Sequence, residues 1–311
     1  MIYTVTLNPA LDKTAEIENF RPDSVNRIRA LRTDPGGKGV NVSKVIAKLG
    51  GTSVAAAILG GGSGRLIADA LAQLGIAGMF RFVPGETRTN LKIIDPVQHT
   101  HTDINEPGIP ADAAVLAGLL AELTGRLAPG DLVVLSGSLP AGAPADTYRV
   151  WVRACRQAGA SVFLDADGEL LAQGILAGPD LIKPNRDELS ALVGRELGTL
   201  PEIAAAARSL LLRGVGRVVV SLGGDGALFA GPERAVYAEG LRVPVGSTVG
   251  AGDSVVAALA FARERGLSPE DTVRLAMATG AANVMCSGTQ AAEYAAVEAL
   301  LGRVRFHTLE S

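Results

Sequence analysis

The chain has 311 residues, 48% hydrophobic and 20% charged, with a formal net charge of −3. Those values fit one large α/β domain over residues 1–311 with a substantial core, and the dispersed Lys and Arg argue against a nucleic-acid partner. No apolar run reaches membrane-spanning length, so no membrane role is expected.

Residues 2–7 (IYTVTL) predict a strand that ends at Asn8-Pro9, and the opening MIYTVTLNP carries neither a basic n-region nor a small-residue cleavage site, so no secretory signal is expected. AEIENF (15–20) and VNRIRALRT (25–33) alternate weakly, as strands with one exposed face do. In PGGKGVNVSKVIAKLGG, Val42, Val45, Ile46 and Leu49 form the buried stripe of a helix that Gly50-Gly51 terminates, which leaves Gly36-Gly37-Lys38-Gly39 at its N-terminus. Such a turn is either an anion or sugar cradle or a plain loop that needs glycine.

A strand over 54–59, a turn over 60–64 and a helix over 66–74 follow. The turn resembles a dinucleotide fingerprint, but the third glycine should fall at position 65, which is Arg65. Residues 88–95 (RTNLKIID) and the following VQHTHTDIN are again polar and strand-like, and with 15–33 they predict a small sheet outside the main core. His99 and His101 stand at i, i+2 without a third ligand nearby, and are read as surface histidines rather than a metal site.

From there strands and helices alternate: helix 116–127, strand 132–135, turn 136–140, helix 145–158, strand 162–164, turn 165–168 and strand 181–183. Helices 186–192 and 201–213, strand 218–220, the turn Gly223-Gly224-Asp225-Gly226, a hairpin within 227–245, and helices from Asp253, Pro269 and Ala291 complete the chain. This rhythm predicts a mostly parallel sheet covered on both faces, with a ligand crevice at the carboxyl ends of its strands. Cys155 and Cys286 lie in apolar helical context and are expected to be buried thiols of a reducing cytoplasm.

The densest chemical signal is GSTVGAGDSVVAALAFARERG, 246–266. Gly250-Ala251-Gly252 opens a helix, a geometry that gathers backbone N–H groups around an anion such as a phosphoryl group. Asp253 is either an ordinary N-cap or the general base that accepts the attacking hydroxyl's proton.

TLNPALD, PGGKGVNV, SGSLP, LIKPNRDEL, SLGGDGAL and STVGAGDSV, in that order along nearly the whole chain, resemble the ribokinase-like sugar kinases, and within them the phosphofructokinase-B family. The resemblance implies a three-layer α/β/α sandwich with a small β-sheet lid formed by segments of about 12–33 and 88–105. It implies Asp253 as catalytic base, with Gly250, Ala251 and Gly252 as anion hole. Lys183, Asn185, Glu188, Ser221, Gly223, Gly224, Gly226 and Asn283 would hold ATP, with Asn185 and Glu188 organising Mg²⁺ through water and phosphates. Asp12, Gly37, Lys38 and Asn41 would hold the sugar, and Arg27, Arg88 and Ser138 its existing phosphate. It also implies a cytoplasmic homodimer paired through the lid and allows a monovalent cation such as K⁺.

The expected reaction is ATP-dependent phosphorylation of a ketohexose phosphate, D-fructose 1-phosphate in the first instance because MIYTVTLNP and DINEPG resemble that subgroup most. Tagatose-6-phosphate kinase or 6-phosphofructokinase activity is the alternative on the same fold. A catalytically inactive binding or regulatory protein is the alternative from another class, and it would have lost the base or the glycine nest. Bland roles compete at several positions. Asn185 with Glu188 has the spacing of a capping box, and Arg27 and Arg88 have the look of surface arginines.

Overall fold

In the computed structural model, which describes residues 1–309, the apolar strand segments assemble into one ten-stranded sheet. The last two positions of the expected 1–311 domain lie outside the described residues. Across the sheet the order is β14 (Phe306–Leu309), β13 (Ala235–Glu239), β12 (Gly226–Ala230), β11 (Val218–Ser221), β10 (Leu181–Ile182), β9 (Ser161–Asp165), β8 (Leu132–Ser136), β1 (Ile2–Thr6), β4 (Ser53–Leu59) and β5 (Ala77–Phe82). Every pairing from β11 through β5 is parallel, and β12, β13 and β14 add an antiparallel margin.

Helices cover both faces, and the period-two alternation of the strands sorts side chains between them. Val133, Leu135, Val162 and Leu164 pack on α3 (Ala113–Arg126), α4 (Thr147–Gln157), α5 (Gly168–Ile175), α6 (Arg186–Val193) and α7 (Leu200–Leu212), through Leu119, Leu123, Trp151, Leu171, Leu189 and Leu210 among others. Leu132, Val134 and Phe163 point the other way, onto α1 (Lys38–Lys48), α8 (Ala251–Glu264), α9 (Pro269–Val284) and α10 (Tyr294–Leu301), where Ile46, Leu259, Ala276 and Val297 are buried. α2 (Gly61–Gln73) seals the β4 side with Ile67 and Leu71.

A second sheet of four strands stands apart, in the order β3 (Ala30–Gly36), β2 (Ala10–Glu16), β6 (Thr89–Asp95), β7 (Thr100–Asn105). Both polar segments foreseen in the sequence enter it, with shifted bounds. β2 starts at Ala10 directly after Pro9, because Leu11 pairs with Thr89 and Ala10 with Gly36, and residues 17–29 form a loop. One face of this sheet carries Ala15, Ile93 and Leu91, closed over by Ile17 and Phe20. The opposite face carries Asp12, Thr14, Asn90 and Lys92.

Other expectations need correction. Gly61 to Gly64 are helical, not a turn, since the Glu86 carboxylate accepts the Gly62 and Ser63 N–H groups (2.7 and 3.1 Å) and starts α2 early. The same carboxylate occupies the place a dinucleotide phosphate would need. His99 sits in the β6–β7 turn at φ 54°, so it shares no strand face with His101. α5, β5 and β14 went unforeseen. β5 and β14 are edge strands, β5 mostly exposed and β14 with no buried residue, and so lack the apolar run of the central strands. The expected hairpin stops at Glu239, and residues 240–250 are irregular.

Candidate active site

The strand ends and helix starts converge around the beginning of α8. Gly250 adopts φ 79°, a left-handed conformation natural to glycine, and is itself the N-cap of the helix with no side-chain cap. Asp253 therefore does not cap. It is the third helical residue, 7% exposed, and its Oδ2 accepts a 2.9 Å hydrogen bond from Asn41 Nδ2 on α1. Burial first, and the Asp165 carboxylate second, push its pKa up to about 6, against the opposing Asn41 bond and the charges of Lys38 and Lys183.

Asp165 closes β9, is almost wholly buried, and sits between two ammonium groups. Lys38 Nζ and Lys183 Nζ each lie 3.5 Å from its Oδ1, while Oδ2 has no partner among the described residues. Burial would lower the pKa of Lys38, but Asp165 and Asp253 outweigh it and raise the pKa instead. Lys183 also borders the nest, since a Cβ on Gly252 would come within 3.0 Å of its Nζ. On the other side of the nest, a Cβ on Gly250 would meet Asn283 Nδ2 at 3.4 Å, and the buried Asn283 Oδ1 has no partner among the described residues. Two cations, a helix N-terminus and unpartnered polar atoms around one point make a place for a multiply charged anion.

On the small-sheet side, a cleft of about 250 Å³ runs between Asp12, Asn90, Lys92 and Asn105 and the loop positions Val249, Gly288 and Thr289. Asn90 Nδ2 donates to Asp12 Oδ1 (3.0 Å), leaving Asn90 Oδ1 buried and unpartnered. Burial raises the Asp12 pKa, while Asn90, Lys44 and Arg88 oppose it. Gly36 lies so close to Asp12 that a Cβ there would fall 2.0 Å from Oδ2. Gly37, at φ 104° and packed on Thr6, begins α1. Arg88 donates to the carbonyls of Asn8 (3.1 Å), Pro9 (3.4 Å) and Glu106 (3.2 Å), and Asn8 Nδ2 donates to Ser138 Oγ (3.2 Å), so Arg88 and Ser138 share one cluster through Asn8. Arg27 is exposed in the 17–29 loop and bonds to none of these. That loop borders a larger hollow, about 540 Å³ among Glu18 to Arg29, which holds none of the groups around Asp253.

The remaining residues flank the nest beyond Lys183. Asn185 and Glu188 form a complete capping box: Asn185 Oδ1 accepts the Glu188 N–H (2.8 Å) and Glu188 Oε2 the Asn185 N–H (2.9 Å). Ser221 bridges Asn185 at the end of β11, and the Gly223–Asp225 3₁₀ turn with Gly226 (φ 116°) lies beyond it. Among the described residues no group of three or more His, Cys, Asp or Glu side chains gathers to cage a metal. The donor set, one carboxylate oxygen of Glu188 outside the capping box and the free Oδ2 of Asp165, instead fits an ion that arrives with phosphates and keeps its waters.

Sequence reasoning places the Asp165 turn at the crevice without giving Asp165 a role, and it misses Asn8 and Asn90 as members of this site. Asp165 had a usable signal, as the residue that ends a buried strand. Asn90 had none, because only the parallel register of β2 with β6 sets it opposite Asp12.

A family model described as pfkB family carbohydrate kinase matches residues 5–295. The 1-phosphofructokinase of Rhodobacter capsulatus is 45% identical over 89% of this chain and 88% of its own, and that of Haemophilus influenzae 34% identical over 99% of both. Among solved structures, phosphofructokinase-2 from Escherichia coli in complex with substrates and products superposes with a TM-score of 0.93 at 32% identity, covering 97% of this chain and 98% of that one. The same Escherichia coli protein has been solved with fructose-6-phosphate, with potassium, and as a tetrameric inhibited form.

Proposed function

Because the chain belongs to the pfkB family of carbohydrate kinases and is a sugar-phosphate kinase, we propose that it transfers the γ-phosphoryl group of ATP to D-fructose 1-phosphate, giving D-fructose 1,6-bisphosphate and ADP. The observation that carries the mechanism is Asp253, a buried carboxylate with a raised pKa that stands beside a glycine nest and caps nothing.

In this reading Asp253 takes the proton of the acceptor hydroxyl as that oxygen forms its bond to the γ-phosphorus, and the bond to the bridging oxygen of ADP breaks in line. Its Oδ2 is engaged by Asn41, so Oδ1 receives the proton. The amides of Gly250 and Gly252 stabilise charge on the moving group, joined by that of Ala251 once it leaves the Thr248 carbonyl it now bonds (3.3 Å), with Lys183 beside them and Lys38 held nearby by Asp165. Asp12, Gly37, Lys38 and Asn41 line the sugar side, and Arg88 with Ser138 binds the phosphate already present. Arg27 joins them only with movement of the 17–29 loop. Lys183, Asn185, Glu188, Ser221, Gly223, Gly224, Gly226 and Asn283 receive the nucleotide. Mg²⁺, when bound, would supply positive charge that offsets the charge of the phosphates. Asn185, Glu188 and Asp165 are the residues that would hold its water shell.

Fructose 6-phosphate is the second reading, favoured by the Escherichia coli phosphofructokinase-2 solved with that sugar. The curated 1-phosphofructokinases, up to 45% identical, weigh more. A coupled assay of ATP consumption with fructose 1-phosphate, fructose 6-phosphate and tagatose 6-phosphate decides among the three substrates, and no turnover with any of them would return the protein to the inactive-regulator class. Asp253→Asn should lower turnover by about 10² or more while nucleotide binding persists, and turnover within a few-fold of wild type would refute the base. A K⁺ requirement, a cytoplasmic location and pairing through the small sheet complete the reading. The small sheet acts in it as a lid that excludes water during transfer.

A further inference from the structure

Lys44 lies on α1, is 7% exposed, and among the described residues has no carboxylate within ion-pair distance. Its ammonium donates three hydrogen bonds, all to neutral oxygens: the Pro35 carbonyl at the end of β3 (2.9 Å), the Thr289 carbonyl after α9 (2.9 Å), and Asn41 Oδ1 one helical turn away (3.2 Å). Burial lowers the pKa of Lys44, with Asp34, Asp12 and Asp253 opposing and Arg32 reinforcing. A buried ammonium that spends every proton on neutral groups is costly for folding alone, because an apolar side chain of similar length would fill the space without desolvating a charge.

The geometry fixes what it does to its neighbour. An ammonium only donates, so the Asn41 oxygen must face Lys44, and the Asn41 NH₂ is thereby turned toward Asp253, to which it donates at 2.9 Å. Without Lys44 the amide gains freedom to rotate its oxygen toward the Asp253 carboxylate, where two acceptors would repel.

We propose that Lys44 is a positioning residue for phosphoryl transfer, which locks the Asn41 amide in the one orientation that holds the Asp253 carboxylate in place, while tying the end of β3 and the Thr289 loop to the same point. The inference rests on Asp253 being the base. It assigns Asn41 to the base as well as to the sugar, and it explains why the helix that Gly37 opens buries a charge.

The test is Lys44→Met, which keeps length and removes the donors, measured beside Lys44→Gln, whose amide restores one donor to Asn41 without charge. For the Met variant, kcat should fall about tenfold or more, with KM for sugar phosphate and ATP changed far less. The acidic limb of its kcat profile should move to higher pH. The groups facing Asp253 are Asn41, Lys38 and Lys44 on α1, Asp165 at the end of β9 and Lys183 after β10, and losing Lys44 with its Asn41 lock removes two influences that favour the charged carboxylate. Lys44→Gln should recover part of kcat, and in an Asn41→Ala background Lys44→Met should cost little more. Unchanged kcat, a loss without movement of the acidic limb, or additivity with Asn41→Ala would each overturn the proposal. If the Met variant does not fold, the Gln variant in the same cycle decides. Asp253→Asn run alongside keeps the readings apart. Retained turnover there refutes the base itself, whereas a dead Asp253→Asn with an unaltered Lys44→Met refutes only the role of Lys44.

Discussion

Asp253 carries an electrostatic penalty in the folded state that shows up in two measurable ways. As a base it must be ionised, so kcat should fall as pH drops through about 6, and a flat profile from pH 8 to 5 would contradict the assignment. As a carboxylate whose folded pKa is raised, it destabilises the protein when charged. Above pH 6 that penalty is fully present, on the order of a few kcal/mol. It shrinks as pH falls toward the unfolded value of about 4, because the native state takes up its proton first. Asp253→Asn should therefore raise Tm at pH 8 and lose that advantage by pH 4, and a Tm difference independent of pH would count against the buried charge. Arg88 is the other residue with a proposed duty beside a structural one. Its guanidinium holds the Asn8, Pro9 and Glu106 carbonyls, so Arg88→Ala should raise the sugar-phosphate KM far more than the ATP KM, with some loss of Tm. Equal effects on both KM values would leave only the structural duty.

At the scale of elements, α6 and α8 start in opposite ways. α6 begins with a reciprocal side-chain box, whereas α8 begins on a bare left-handed glycine with no side-chain cap; the Ala251 N–H donates to the Thr248 carbonyl (3.3 Å), and the flanking Gly250 and Gly252 N–H groups are the ones left to an anion. The box makes Glu188 ambiguous, and one substitution separates its roles. Glu188→Gln preserves the N3 hydrogen bond that a capping box accepts from either residue, so Tm should stay within a degree or two, about 0.5 kcal/mol or less. The Mg²⁺ concentration giving half-maximal rate should rise several-fold if Glu188 serves the ion, and an unchanged Mg²⁺ dependence would reduce it to a cap.

For the whole molecule, the decisive feature is the small sheet, polar toward the cleft and apolar on its other face. The centre of that apolar face is already covered by Ile17 and Phe20, which buries Ile93 within the sheet's own cluster. Ile93, which the alternation of 88–95 suggests as a contact across a dimer, is thus the wrong probe, since a charge there would unfold the sheet. Leu31 on β3 and Ile104 on β7 lie on the same face and are 54% and 52% exposed. Two exposed apolar edges on a sheet this small favour a two-fold partner. Ile104→Asp should shift the protein toward monomer in light scattering and raise the ratio of ATP hydrolysis to sugar phosphorylation. A wild type that is monomeric at assay concentration would remove the pairing while leaving the lid to be tested by the hydrolysis ratio.

Local sequence was enough for most of the strand and helix rhythm, α5, β5, β14 and the early start of α2 excepted, and for the glycine turn before Asp253 and the small polar sheet. Period-two apolar strands, 3.6-period stripes and helix-opening glycines are encoded within a few residues of one another. What local sequence left open was which duty each ambiguous residue performs. Asp253 turned out not to cap because Gly250 does, and the Asn185–Glu188 box formed because both partners lie within one turn. The pairing of Asn90 with Asp12, the bracketing of Asp165 by Lys38 and Lys183, and the grip of Lys44 on Thr289 join positions 78, 127, 18 and 245 residues apart. Contacts of that kind are set by strand register and by two helices meeting over a sheet, and no window of sequence contains both partners, so only the tertiary structure decided them.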